Sequence, residues 1–143
     1  MNTNELLAFA DEQGYSVIYD DFPECGSLST DADGYAVGID KHLNSRDERT
    51  RLAHELGHCE TGSFYSRYIK VQCRKQLENK ADRWAFERLV PAEDIQSALN
   101  NGIFESWDLA EHFGVTDEFM IKALQHYTGQ KGIVFSTYKE DYF

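Results

Sequence analysis

The chain has 143 residues and a formal net charge of −11 at pH 7, with 25 acidic and 14 basic side chains. A chain of this length is expected to form one domain, residues 1–143, with its own core. The acidic balance argues against direct binding of nucleic acid, because phosphate binding depends on Lys and Arg. No stretch is apolar for long enough to span a membrane, and residues 1–13 lack the basic and apolar parts of a signal peptide. We therefore expect a cytoplasmic protein without membrane contact, whose cysteines are free thiols: Cys25, Cys59 and Cys73.

The N-terminal part of the sequence predicts a helix followed by strands. Residues 4–13 are amphipathic at helical spacing, and residues 16–19 favour a strand. Residues 27–30 and 35–39 alternate in polarity, and Asp-Ala-Asp-Gly at 31–34 is typical of the turn of a hairpin. We expect residues 35–39 to be an edge strand that lines a cleft, where an extended peptide can add as a further strand.

Residues 44–62 carry the signals of a helix with defined ends. Ser45 and Glu48 form an S-x-x-E capping box at its start, and Gly62 is a natural stop. Its apolar stripe is formed by Leu52, Leu56 and Cys59. Gly57 lies in mid-helix, where glycine costs about 1 kcal/mol relative to alanine. This cost is easier to understand if something must approach the helix backbone closely at that point.

The same helix contains the run His54-Glu55-Leu56-Gly57-His58, which reads H-E-x-x-H. Positions i and i+4 share a helix face, so both imidazoles can point at one metal ion, while Glu55 can reach a water beside it. This arrangement suits a catalytic Zn²⁺ site in which the glutamate is the general base. The pattern alone is only moderately specific, because the same spacing arises by chance on solvated helix faces.

A catalytic zinc site of this kind needs a third protein ligand, which the helical segment 77–85 can provide. Glu78 and Asp82 lie one turn apart on the same side of this segment. We predict that Glu78 is the third ligand and that Asp82 hydrogen-bonds a metal-binding histidine, His54. The alternative is a charged surface face, which is common on helices.

The C-terminal part predicts further helices. Pro91 suits the first turn of a helix that runs to about residue 100. Two more helices are expected at 106–113 and 117–127, with Thr116 as the N-cap of the second. Residues 133–135 are a possible strand.

The two helices that flank Gly114 have the arrangement of a helix-turn-helix, which in a DNA-binding protein enters the major groove. The second of them carries Asp117, Glu118 and only one cation, Lys122. Because these charges are poorly suited to phosphates, we interpret the pair as a packing unit.

Taken together, the motifs resemble those of a known family. The run H-E-L-G-H at 54–58, then E-N-K-A-D-R-W-A at 78–85 and L-V-P at 89–91, resembles the ImmA/IrrE family of gluzincin-like metallopeptidases. The resemblance extends to L-A-E-H-F-G-V-T at 109–116 and covers most of residues 44–127. One departure is Lys80, where members often have a second acidic residue, and we do not expect it to abolish metal binding.

The resemblance implies an α+β, zincin-like fold, with a small antiparallel sheet packed beside a mainly helical bundle. It implies one Zn²⁺ held by His54, His58 and Glu78, with Glu55 as the general base. It also implies a narrow substrate, namely a helix-turn-helix transcriptional repressor of a phage or other mobile element. Candidate oxyanion donors are Tyr65 and Tyr68.

Three functional interpretations remain open. The first is a site-specific metallopeptidase, the second an antirepressor that is stabilised by zinc and binds without cutting, and the third a structural zinc domain.

The basic and acidic side chains are distributed unevenly along the chain. Residues 45–88 carry ten basic and seven acidic side chains, whereas the rest of the chain carries four and eighteen. The excess of cations indicates either helix solubility or a mildly cationic rim around a cleft.

Overall fold

Strands and helices are both present in the computed structural model, which describes residues 1–66 and 68–135. In chain order the elements are α1 Thr3–Gln13, β1 Ser16–Asp20, β2 Ser27–Thr30, β3 Ala36–Asp40, α2 Ser45–Thr61, α3 Val71–Leu89, α4 Ala92–Asn100, α5 Ser106–Phe113 and α6 Asp117–Gln125, followed by a π-helical turn at His126–Gln130. The predicted α+β class is confirmed. Across the described ranges, no helix combines the length and the apolar character needed to cross a membrane.

The sheet has the strand order β1-β3-β2 and is mixed rather than wholly antiparallel. β2 runs antiparallel to β3, as the hairpin predicts, but β1 pairs with β3 in parallel. The prediction that residues 35–39 form the edge strand is therefore wrong, because β3 is central and β2 is an edge. The physical reason is that β3 is buried along Val37, Gly38 and Ile39, a continuous apolar run that suits a strand paired on both sides.

The N-cap residue of helix α2 lies one position before the serine of the S-x-x-E motif. The N-cap is Asn44, whose side chain accepts a hydrogen bond from the backbone N–H of Asp47 at 2.9 Å. Ser45 is already helical, so it does not act as the predicted cap. At the other end Gly62 adopts φ 63° and closes the helix as expected.

Helices α2 and α3 pack against each other with close backbone contact at Gly57. A Cβ atom at this position would lie 2.4 Å from the carbonyl oxygen of Ala81. No side chain fits in that space, so a close approach to the helix backbone occurs as expected, and the group that approaches is the backbone of α3. The contact brings the polar faces of the two helices together.

The remaining helices complete one hydrophobic core beneath this pair. Leu109 of α5 and Met120 of α6 are buried in it together with Leu52 and Leu56 of α2, which agrees with a packing role for α5 and α6. Thr116 caps α6 as predicted. Helix α6 ends at Gln125 and continues as the π-helical turn, so the predicted end at 127 is replaced by a change of helix type. Residues 133–135 form no strand with any described residue.

Candidate metal centre

Three side chains from α2 and α3 converge on one point. His54 and His58 project from adjacent turns of α2, and Glu78 projects from α3 towards both. His54 Nε2 lies 2.7 Å from Glu78 Oε2, and His58 Nε2 lies 3.2 Å from Glu78 Oε1. One ligand atom from each residue lies within 4.8 Å of the others. The structure thus brings together all three predicted ligands, whose role in binding metal remains a prediction.

Both imidazoles are anchored through the nitrogen that faces away from this point. His54 Nδ1 contacts Asp82 Oδ1 at 2.7 Å, which is the contact that the sequence predicts. His58 Nδ1 lies 2.7 Å from the carbonyl oxygen of Ser63. A carbonyl oxygen only accepts, so Nδ1 of His58 donates, and in the neutral imidazole Nε2 then presents its lone pair to the centre.

The charges of this cluster are strongly coupled. Burial disfavours the charged form of His54, but the hydrogen bonds to Asp82 and Glu78 outweigh it and raise the pKa of His54 to about 10. Burial likewise opposes the charge of Glu78, yet the hydrogen bonds from His54 and Tyr65, together with the nearby His58 ring, hold the pKa of Glu78 well below its usual range. The carboxylate is therefore ionised, as a metal ligand must be.

The predicted general base, Glu55, lies on α2 beside the histidines and is 7% exposed. Its Oε2 accepts a hydrogen bond of 2.7 Å from the hydroxyl of Ser27, on the edge strand β2. Sequence reasoning missed Ser27, since nothing in the pattern of a short strand singles out one serine. The contact fixes one carboxylate oxygen of Glu55.

Tyr65, one of the two candidate oxyanion donors, reaches the centre, and Tyr68 is far more exposed. The hydroxyl of Tyr65 donates to Glu78 Oε1 at 2.7 Å. Burial and the neighbouring Glu78 carboxylate raise the pKa of Tyr65 to about 12, so its proton is retained at neutral pH. Tyr68 is 81% exposed, so it is the weaker candidate.

The chemistry of this donor set fits zinc. Two imidazole nitrogens and one carboxylate are the protein ligands of many catalytic zinc sites, in which the fourth position stays open to water or substrate. Both histidines have the outer hydrogen-bond partners that such sites use to orient their ligands. Another group, Asp21, Asp40 and His42, also lies close enough to hold an ion, but Asp21 and His42 are exposed and contact each other.

An open cleft of about 880 Å³ gives access to the centre. Its walls come from α2, α3, α6 and the start of β2, and Glu78, Asp82 and Phe86 follow one another along its α3 side. A smaller hollow of about 310 Å³ continues beside β2, where it is lined by residues 27–31 together with Glu55 and His58. The centre therefore borders both the main cleft and the hollow beside β2.

An H-E-x-x-H helix whose histidines meet a glutamate of the next helix defines a metallopeptidase-type site. Residues 10–125 match the model of the Peptidase_M78 family, described as the IrrE N-terminal-like domain. The match covers most of the chain, which therefore belongs to this peptidase family, as its motifs predict.

A solved structure has the same fold. The chain is similar to a Mycobacterium tuberculosis transcriptional regulator with a TM-score of 0.65 and 17% sequence identity, over 84% of this chain and 39% of that chain. The chain thus corresponds to well under half the length of that regulator. No curated protein matches the sequence significantly.

Proposed function

We propose that this protein is a zinc-dependent, site-specific endopeptidase that cleaves a helix-turn-helix transcriptional repressor of a phage or mobile element. The observation that carries the proposal is the convergence of His54, His58 and Glu78 beside a buried carboxylate, Glu55, where an open cleft meets a smaller hollow. A purely structural zinc site is usually closed by four protein ligands. Among the described residues only these three reach the point, which favours the catalytic interpretation.

The reaction is the hydrolysis of a peptide bond. Zn²⁺ bound by His54, His58 and Glu78 supplies Lewis acidity, which polarises a carbonyl and makes water nucleophilic near neutral pH. Glu55 accepts one proton from the attacking water as the new C–O bond forms, and it returns this proton to the leaving nitrogen as the C–N bond breaks. Ser27 holds Glu55 in place, and the Tyr65 hydroxyl, which donates to Glu78 in this structure, is the donor that can turn towards the oxyanion.

The edge strand β2 is the element best suited to hold the substrate. Its partner β3 lies on one side only, so the other edge is unpaired within the described sheet. An extended segment that adds to this edge forms main-chain hydrogen bonds with it and passes the centre. The need for an extended segment limits cleavage to loops or locally unfolded stretches of the target.

Substitution of Glu55 tests the proposal. Glu55→Gln keeps the shape of the side chain and all three ligands but cannot accept the proton, so cleavage should fall by at least about 100-fold, the lower end of the usual contribution of a general base. The assay follows cleavage of the repressor encoded beside this gene, with zinc content and thermal midpoint measured on the same samples. Glu60→Gln is the matched control, because it removes the same charge from the same helix outside the cleft.

The possible outcomes separate the alternatives. Equal cleavage by Glu55→Gln and the parent would exclude Glu55 as the base. If neither protein cuts the repressor but both bind it tightly, the protein is an antirepressor that acts by binding. If zinc stabilises the fold and the repressor is neither cut nor bound, the structural interpretation replaces ours.

A further inference from the structure

Cationic side chains surround the cleft outside the metal centre. Five of its lining residues are basic: Arg51, Arg74, Lys75, Arg83 and Lys122. Apart from Glu55, Glu78 and Asp82, which belong to the centre itself, its lining contains two acidic residues, Asp47 and Glu118. The cleft therefore has a cationic rim in a protein whose net charge is −11.

Several of these charges are already engaged within the protein. Lys122 pairs with Glu118 at 3.2 Å, and the Arg51 guanidinium donates to the carbonyl oxygen of Cys25 at 3.1 Å. Arg74 lies over the ring of Tyr65 at 5.6 Å. These contacts hold the three side chains in place and leave less of their charge for a ligand.

Lys75 and Arg83 differ from the other three. Both are exposed on the α3 wall of the cleft, and neither side chain has a hydrogen bond or ion pair with any other described residue. They lie on either side of Glu78 in the sequence and about 12 Å apart along the helix axis. In an extended peptide this distance corresponds to about three or four residues.

Exposed ammonium and guanidinium groups of this kind attract carboxylates over short distances. At physiological ionic strength the Debye length is about 8 Å, so the acidic remainder of the chain is largely screened from a ligand inside the cleft. The charges that line the cleft, rather than the net charge of the whole chain, then determine the potential that a ligand meets there.

The geometry points to an acidic peptide segment as the ligand of this cleft, with carboxylate side chains that reach Lys75 and Arg83 on the two sides of the scissile bond. This inference rests on the proposed function, because it names the substrate class of the same site. Lys75 and Arg83 then determine which segment is bound, while the chemistry belongs to Glu55 and the metal ligands.

Peptide binding tests the inference separately from cleavage. The probes are three fluorescein-labelled peptides of twelve residues that share a Gly/Ala/Ser backbone and carry four Glu, four Gln or four Lys at the same positions. Fluorescence anisotropy is measured on zinc-loaded Glu55→Gln protein, so that a bound peptide is not cut. We expect the Glu peptide to bind at least about fivefold more tightly than the Gln peptide, because two exposed ion pairs can contribute this much to the affinity. The Lys peptide should bind most weakly.

Charge reversal locates the interaction. In the same background Lys75→Glu with Arg83→Glu should weaken binding of the Glu peptide by about tenfold, since attraction is replaced by repulsion at two positions. Lys70→Glu with Lys80→Glu is the matched control, because it changes the net charge equally at positions in and beside α3 that do not line the cleft. The control should leave binding within about twofold.

Each alternative outcome is decisive. The inference is overturned if the Glu peptide binds no better than the Gln peptide, or if the control pair weakens it as much as the cleft pair. Equal binding of a single-stranded twelve-nucleotide DNA would overturn it as well, because the rim would then select charge rather than peptide. If the protein cleaves the repressor but does not bind the Glu peptide more tightly than the Gln peptide, only this inference is wrong. If it binds the Glu peptide more tightly but cleaves no repressor, only the proposed peptidase activity is wrong.

Discussion

Asp82 controls the orientation of His54 from the opposite helix. Its carboxylate lies 2.7 Å from Nδ1, so Nε2 is aimed at Glu78 and the centre. We predict that Asp82→Ala weakens zinc binding by about 10–100-fold, the usual effect of losing such an outer partner. Competition with a chelator measures this affinity. Asp82→Asn, which keeps an acceptor oxygen without the charge, should lose less zinc affinity. An unchanged zinc affinity in the alanine variant would show that Asp82 does not orient His54 for metal binding.

Ser27 positions Glu55 from the edge strand. A hydrogen bond to a charged group contributes about 1.5–3 kcal/mol, and about 1.4 kcal/mol corresponds to tenfold in rate. Ser27→Ala should therefore lower kcat for repressor cleavage by about 10–100-fold, with KM and zinc content close to those of the parent. Ser27→Thr keeps the hydroxyl and should restore most of the rate. A loss that appears in zinc content or in the thermal midpoint instead would indicate a structural role.

Among the individual site residues, the sequence alone predicts those that are spaced so as to share one face of a helix. The i, i+4 separations of His54 with His58 and of Glu78 with Asp82 are enough to place each pair on one helix face. Ser27 follows no such rule, because it meets Glu55 across 28 positions of the chain. The carbonyl oxygen of Ser63 is a backbone group and carries no sequence signal at all.

At the scale of the elements, the approach of α2 and α3 depends on Gly57. We predict that Gly57→Ala lowers the free energy of unfolding by about 1–3 kcal/mol, the usual cost of overpacking, despite the higher helix propensity of alanine. The new methyl group would meet the carbonyl group of Ala81, which is backbone and cannot rotate away. Denaturant titration of the metal-free protein measures the change.

Gly129 provides the control for this prediction. A Cβ atom there meets nothing within 4 Å, and its backbone is outside the left-handed region. Gly129→Ala should therefore leave stability unchanged or slightly raise it. A similar loss in both variants would show that the helix contact is not the cause.

Helix ends were largely predictable, whereas strand order was not. Capping and stop residues act locally, so Gly62 and Thr116 mark real helix boundaries. Strand order depends on which strands meet across the chain, and the parallel pairing of β1 with β3 skips β2. The apolar run of β3 is a local signal of a central strand. The hairpin pattern alone, however, does not determine which of its two strands lies at the edge of the sheet.

For the molecule as a whole, the metal centre joins two helices that are separated by a loop. His54 lies between the carboxylates of Glu78 on α3 and Asp82 one turn further on, at 2.7 Å from each. Any ligand that binds only the folded state adds stability, by about 2.7 kcal/mol when its free concentration is about 100 times Kd. For a domain of this size that amounts to roughly 5–10 °C in Tm.

We therefore predict that removal of zinc by a chelator lowers Tm by about 5–10 °C and that restored zinc reverses the shift, as circular dichroism can measure. Glu78→Gln is the control, because an amide replaces the ionised ligand while the three free cysteines remain. This variant should show little dependence on zinc. An equal shift in both proteins would place the stabilising zinc elsewhere, for example on Cys25 or Cys73, which are exposed. Dependence on Glu78 would instead tie the stability of the whole fold to the centre formed by α2 and α3.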